Sequence, residues 1–237
     1  MNYYRELSFL KDQMGPTVRS LMEHNGAFLA GGAITSVFSS ARINDFDLFF
    51  PNKKVLDQAL LACPQDEKTV HTDSACSVVL DGHRVQLIKC VLRTPAEVLE
   101  GFDFTICQGG LDWNDGFIFG KDFFQHLAQR RLVFNIKAEY PICSLYRLRK
   151  FIKRGFHFSG IEAIKLGLRI QALQIDTYAD LRKQLMGIDT MFLRDLTDSL
   201  KGQEQQKYDL NEFLDTLNVW LGKLDAVTGE DQTESAP

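Results

Sequence analysis

The sequence predicts an α+β fold: a mixed β-sheet with helices on one face, followed by a small all-α region. Three observations carry this expectation. The first 50 residues alternate helix, strand, helix, strand. Two hairpin signals follow, at Asp81-Gly82 and Asn114-Asp115-Gly116, and the later part of the chain changes to apolar residues at helical spacing. With 237 residues, 45% of them hydrophobic, the chain can build one large or two small domains around a sizeable core. The expected division is a head over residues 1–135, a helical neck and body over 136–228, and a polar, disordered tail over 229–237.

Residues 3–24 read as helical, because Leu7, Leu10, Met14, Val18, Leu21 and Met22 recur at helical spacing, with Gly15-Pro16 breaking the run. Residues 27–50 read as a strand, a glycine turn into a short helix, and a second strand. In that second strand, Asn44-Asp45-Phe46-Asp47-Leu48-Phe49-Phe50, period-two alternation puts Asp45 and Asp47 on one face and Phe46 and Leu48 on the other. Two carboxylates roughly 7 Å apart repel unless a cation lies between them, and a hard divalent metal suits oxygen donors. Gly31 and Gly32, lacking Cβ atoms, let backbone amides approach a phosphate; the helix start and the hydroxyls of Thr35 and Ser36 point to the same chemistry. A glycine turn alone is usually only a turn, and an Asp-x-Asp alone usually a solvated strand. Together at short spacing they describe a nucleotidyl transfer centre.

Beyond it, Pro51-Asn52 stops the strand and Val55, Leu56, Ala59 and Leu60 form the buried stripe of a helix over 53–61. Strands over 76–80 and 84–90 flank Asp81-Gly82. Thr94-Pro95-Ala96-Glu97 has the make-up of a capping box. Residues 102–111 read as a strand with Asp103 and Thr105 on one face, then a hairpin to 117–119 and a helix over 122–130.

Gly31-Gly32 followed by Asp45-Phe46-Asp47 resembles the signature of the nucleotidyltransferase superfamily that contains DNA polymerase beta, bacterial poly(A) polymerases and CCA-adding enzymes. Phe102-Asp103-Phe104-Thr105-Ile106-Cys107 resembles the Arg-Asp-Phe-Thr-Ile-Asn segment of the last two. The resemblance covers about the first 130 residues. It implies a nucleotidyltransferase head domain, an NTP substrate, Mg²⁺ (or Mn²⁺) held by Asp45 and Asp47, phosphates held by Gly31, Gly32, Thr35 and Ser36, and an RNA 3′ end as acceptor. A third metal-binding acid is common on the strand after Asp-x-Asp in this superfamily. Here that position reads Val85-Gln86-Leu87, leaving Asp103 as the candidate third ligand, with a sugar or backbone contact as its alternative role. The superfamily's Gly-Gly-x-Val-Arg-Asp stands here as Gly31-Gly32-Ala33-Ile34-Thr35-Ser36, and the arginines before Asp-Phe-Thr as Gly101-Phe102. Phosphate charge must then be met by other cations, with Arg42, Arg84 and Lys89 as candidates.

A net charge of −4 gives no general attraction to nucleic acid, so such binding needs a local patch. One exists: residues 130–154 carry eight cations against the single acid Glu139. Arg147, Arg149, Lys150, Lys153 and Arg154 lie on a helix that Ser144 could cap, with Leu145, Leu148, Phe151 and Ile152 as its apolar stripe and Gly155 as its end. This resembles the neck helix of CCA-adding and poly(A) polymerases, without their Glu-Asp-x-x-Arg base-selecting element. Helices are expected over 160–175, 178–187, 189–201 and 209–224. Five scattered cysteines without a Cys-x-x-Cys pair favour a reducing cytoplasm, and no apolar run approaches ~20 residues, so no membrane span is expected. The reading is a metal-dependent nucleotidyltransferase moving NMP from an NTP to an acceptor hydroxyl. The alternatives are a catalytically weakened nucleotide- or RNA-binding module, or a transferase acting on a protein or small-molecule hydroxyl.

Overall fold

A computed structural model describes residues 3–64, 66, 69–185, 200 and 202–227, with the side chains of 220–227 outside the description. The expected helix over 189–201 and the expected disordered tail over 229–237 lie outside the described residues, the first except for Leu200. Two compact units divide the chain, residues 1–171 and 172–237.

The first unit is an α+β fold on a seven-stranded mixed sheet. Helices α1 (Tyr4–Gln13) and α2 (Pro16–Asn25) are separated at Gly15, and Pro16 starts the second at a position where its missing N–H costs nothing. Strand β1 (Phe28–Ala30) leads into α3 (Gly32–Phe38), β2 (Asp45–Phe50) and α4 (Lys53–Ala62), the last capped by the Asn52 side chain. Then come β3 (Val70–His71), β4 (Ala75–Leu80), β5 (His83–Leu92), α5 (Pro95–Gly101), β6 (Gly109–Asp112), β7 (Gly116–Phe119) and α6 (Phe123–Ala128). The sheet order is β3-β4-β5-β2-β1-β6-β7, antiparallel except for the central β2/β5 pair. At the β4/β5 hairpin both Asp81 and Gly82 take positive φ, the geometry of a type I′ turn. The Asp81 carboxylate accepts hydrogen bonds from the Thr17 N–H (2.7 Å) and hydroxyl (3.0 Å), tying the hairpin to the first turn of α2.

Helices cover both faces of the sheet rather than the expected one. Leu29, Phe46, Leu48, Val85 and Leu87 join the main core, whereas Phe28, Ala30 and Phe49 pack on the other side against Val98 and Leu99 of α5. The cause is β1: all three of its residues are buried, so both of its faces need a cover. Thr94 closes α5 as expected, its N–H (2.9 Å) and hydroxyl (2.7 Å) both donating to Glu97 Oε2.

The 102–111 segment is not one strand. Residues Thr105–Cys107 form a 3₁₀ turn and only Gly109–Asp112 pair in the sheet. Here Cys107 N–H donates to Phe104 O, and the Asp103 carbonyl is taken by Asn135 N–H at 2.8 Å. The local turn and the distant Val133 and Asn135 satisfy a backbone that alternation alone would have laid in the ladder.

Strand β8 (Arg131–Leu132) pairs with β9 (His157–Phe158), bracketing α7 (Pro141–Lys153), and α8 (Gly160–Gln171) follows. Helix α7 starts at Pro141, not at Ser144, whose hydroxyl lies inside the helix and donates to Tyr140 O at 3.1 Å. Its buried stripe is Leu148 and Phe151; Leu145 (53% exposed) and Ile152 (52%) face outward, contrary to expectation. Gly155, at φ 81°, ends the helix.

The second unit holds α9 (Tyr178–Gln184) and α10 (Leu210–Val227) among its described residues. Thr177 and Asp180 form a reciprocal cap, and the buried Tyr178 donates to Glu212 Oε2 at 3.2 Å. Among the described residues no helix is long and apolar enough to cross a membrane.

Candidate active site

Strand β1 lies at the centre of the sheet and delivers the chain to Gly31, whose φ of 86° a side chain would oppose. A Cβ there would also stand 3.1 Å from the Phe102 ring. Gly31 N–H donates to Gly109 O at 2.8 Å, fixing the turn to β6. Gly32 opens α3, and nothing lies within 4 Å of where its Cβ would be. Thr35 and Ser36 are both buried. The Thr35 hydroxyl donates to Ile106 O at 2.7 Å, so it clamps α3 onto the 3₁₀ turn.

Asp45 and Asp47 are part-exposed on β2, while Phe46 and Leu48 between and beyond them are buried, the alternation read from the sequence. Phe28 pairs with Phe49 and Leu29 with Leu48; one step further along that register Ala30 faces Asp47. The glycine turn therefore leaves the sheet beside the second carboxylate. On the other flank Asp45 is matched with Arg84 and Asp47 with Gln86. Residues opposite one another in a ladder point to the same face, so Gln86 shares the face of Asp47. Gln86 is buried, at 6% exposure. Arg42 and Arg84 are exposed and Lys89 half-buried.

Asp103 has a different setting. Its side chain is 7% exposed, Oδ1 accepts from Phe104 N–H at 3.0 Å, and Oδ2 lies 3.0 Å from Nη1 of Arg147 on α7. Burial, the largest single effect on Arg147, disfavours its charge, but the Asp103 carboxylate, the Cys107 and Cys143 thiols and Asp47 together outweigh it and hold the guanidinium above its ordinary range. Arg147 keeps 31% of its side chain exposed, so donors beyond the one on Asp103 remain accessible. Arg149, Lys150 and Lys153 are exposed on α7, and Arg154 at its end is half-buried.

Among the described residues no group of three His, Cys, Asp or Glu side chains is arranged to hold a metal. Asp45, Asp47 and the Gln86 amide are nonetheless an all-oxygen donor set on one face, which fits a hard divalent cation. Sequence reasoning singled out the two β2 carboxylates, the glycine turn and Arg147 as candidates, but not that Asp103 and Arg147 form a pair. Nothing in their spacing carries that signal, because a helix and a loop far apart in the chain supply the two halves.

Residues 3–130 match the family model of the Gabija anti-defense 2 family protein. The chain is also similar to the Gabija anti-defense 2 protein of Bacillus phage SPbetaL7, 31% identical over 221 residues that cover 92% of this chain and 54% of that protein. It thus spans about half the length of the curated relative it matches. Among solved structures it is similar to a CCA-adding enzyme with CTP (TM-score 0.54, 18% identity, 83% of this chain and 54% of that one). A Thermotoga maritima CCA-adding enzyme complexed with tRNA is comparable (TM-score 0.53, 17% identity, 82% and 54%). At these identities the likeness is one of fold alone. The chain belongs to the Gabija anti-defense 2 family.

Proposed function

We propose that the chain is a metal-dependent nucleotidyltransferase serving anti-defense against Gabija, moving NMP from an NTP to an acceptor hydroxyl and releasing pyrophosphate. The observation that carries this reading is the placement of Asp45 and Asp47 on one face of β2, directly beside the Gly31-Gly32 turn. In the reaction, the acceptor oxygen bonds to the α-phosphorus as the bond from that phosphorus to the bridging oxygen breaks, and pyrophosphate departs in line. Asp45 and Asp47 would hold Mg²⁺ or Mn²⁺, which when bound supplies positive charge to the triphosphate. The backbone N–H of Gly32, in a turn that Gly31 shapes and with Ser36 behind it, would take the β- and γ-phosphates. The exposed cations Arg149, Lys150 and Lys153 would meet the acceptor's phosphate backbone.

An RNA 3′ end is the leading acceptor, supported by the tRNA bound to the Thermotoga enzyme of the same fold. A protein or small-molecule hydroxyl is the alternative acceptor. The second reading, a nucleotide- or RNA-binding module without transfer, is favoured by the neutral Gln86 opposite Asp47 and by the engagement of Asp103 with Arg147.

The test is transfer from each of the four α-³²P NTPs, with Mg²⁺ or Mn²⁺, onto total RNA and total protein from Gabija-bearing and Gabija-free cells. Label that disappears in the Asp45→Ala, Asp47→Ala double variant establishes the activity, and its carrier identifies the acceptor class. No label in any arm would overturn the transferase reading in favour of the binding module.

A further inference from the structure

Helix α5 and the edge strand β7 border a cavity of about 400 Å³, within the ~300–1,000 Å³ range of small-molecule sites. Its floor is apolar. Leu99 of α5 and Ile118 of β7 line it, and both belong to the apolar layer on the second face of the sheet. Its walls are held by hydrogen bonds within the chain. Asn135 Nδ2 donates to Glu100 O at 2.7 Å and to Phe102 O at 2.8 Å, and Lys137 N–H donates to Asn135 Oδ1 at 3.1 Å. The segment that carries Lys137 is thereby bolted to the end of α5. On the other side, Gly120 N–H donates to Gln108 O at 2.7 Å, and a Cβ on Gly120 would stand 2.7 Å from Gln108 Oε1. The Gln108 side chain therefore rests against a residue that leaves it room. Ile118 pairs with Gly110 and Gly110 with Ala30, beyond which lies Asp47 on β2, so three strand spacings, roughly 14 Å, separate the cavity floor from that carboxylate.

Three charged side chains line the cavity: Lys121 just after β7, Lys137 in the segment before α7, and Glu100 in the last turn of α5. We infer that the cavity binds a nucleoside monophosphate, with Lys121 and Lys137 taking the phosphate, Leu99 and Ile118 under the ring, and Gln108 and Glu100 meeting its hydroxyl or amino groups. The charges select the head group. A phosphate monoester carries close to two negative charges at neutral pH and three acceptor oxygens, which matches two ammonium groups brought by separate elements; a carboxylate would offer them a single charge. The Glu100 carboxylate only accepts, so the ligand must also bring donors, which a ribose and an exocyclic amine supply. An inorganic anion would leave the apolar floor uncovered. This site stands independently of the transfer reaction, because a phosphate held here lies beyond the reach of a cation on Asp47.

Equilibrium dialysis of the full chain against ³H-labelled 5′-AMP in EDTA tests the assignment. The expected result is one AMP per chain, with affinity unchanged within about twofold in the Asp45→Ala, Asp47→Ala variant and at least about tenfold weaker in Lys121→Met, Lys137→Met. Both lysines are exposed, so that second variant is expected to keep the parent's thermal unfolding midpoint. Unlabelled adenosine and inorganic phosphate should each compete at least about tenfold more weakly than AMP. Gly120→Ala, which pushes Gln108 aside, should weaken AMP by about threefold to tenfold, as loss of one hydrogen bond requires. Binding that vanished with the β2 pair would overturn this site and place AMP at the β2 carboxylates. Binding that survived loss of both lysines, or no binding in any arm, would overturn it and leave the transferase reading standing. Phosphate competing as well as AMP would overturn the role of the floor, and an unchanged affinity in Gly120→Ala the role of Gln108.

Discussion

The β2 strand presents two aspartates and the 102–108 segment one, all among buried aromatic and aliphatic residues, yet the two regions give their carboxylates opposite settings. Asp45 and Asp47 stay part-exposed on a regular strand, and their neighbours across the ladder are Arg84 and Gln86. Asp103 is buried on irregular backbone, with Phe104 N–H on one oxygen and Arg147 on the other. The difference lies in what each carboxylate faces. At β2 two carboxylates share one face, with Arg84 opposite the first and the neutral Gln86 opposite the second. At Asp103 the charge is matched inside the protein and contributes to its stability. Part-exposed carboxylates that share one strand face beside a glycine turn are the ones placed to take a ligand.

If this contrast is sound, substitutions should separate the two regions by readout. The largest effect is expected from Asp45→Ala with Asp47→Ala: nucleotidyl transfer falls by at least about a thousandfold, while the thermal unfolding midpoint stays the same or rises because a repulsion is removed. Loss of activity accompanied by a large fall in midpoint would erase the distinction. Asp103→Ala should do the reverse on stability. It strips the partner from a charged Arg147, and because that side chain is 31% exposed the cost is discounted to about 1–3 kcal/mol, measured by chemical denaturation. An Asp103→Ala variant as stable as the parent would mean that the pair adds nothing to the fold.

The same contrast explains what could be read from sequence. Local rules decided β2: alternation, a preceding glycine turn and a Pro51 stop all act within a few residues, and the structure follows them. The hairpin turn at Asp81-Gly82 and the Thr94 cap were legible for the same reason. Residues 102–108 were not, because their alternation resembles a strand while the hydrogen bonds that shape them come from Val133, Asn135 and Arg147. Helix α5 on the second face was hidden in the sequence of β1, where three buried residues in a row signal cover on both sides. The start of α7 had a usable local signal in Pro141, which favours the first helical position more specifically than Ser144 favours a cap. The outward Leu145 and Ile152 had none, since their exposure is decided by what packs on α7 and not by their own spacing.

Gly31 joins the two regions, and replacing it sharpens the comparison at a smaller scale. Gly31→Ala must adopt a φ of 86° and brings a Cβ to 3.1 Å from Phe102, the residue just before Asp103. The expected cost is about 1–2 kcal/mol, read by denaturation, and Gly32→Ala, whose added Cβ meets nothing within 4 Å, should cost less. Equal costs at the two glycines would remove Phe102 from the account.

The last comparison concerns Cys107, one turn beyond Asp103. Burial, reinforced by the Asp103 carboxylate, pushes its thiol from the ordinary 9.0 up to about 12. The folded chain therefore holds this proton more tightly than the unfolded chain does. The resulting stability is complete below pH 9 and is lost as pH rises through 9 toward 12, at a limiting slope of about 1.4 kcal/mol per pH unit for one thiol. Cys63, pushed up to about 11 by burial, acts in the same direction. Thermal unfolding midpoints should thus fall between pH 9 and pH 11, with a slope reduced but not abolished in Cys107→Ala. The β2 carboxylates should have no part in this alkaline slope, so the Asp45→Ala, Asp47→Ala variant is expected to keep it whole. A slope that vanished with the β2 pair and survived in Cys107→Ala would reverse the assignment of which region carries charge for stability and which holds it for a ligand.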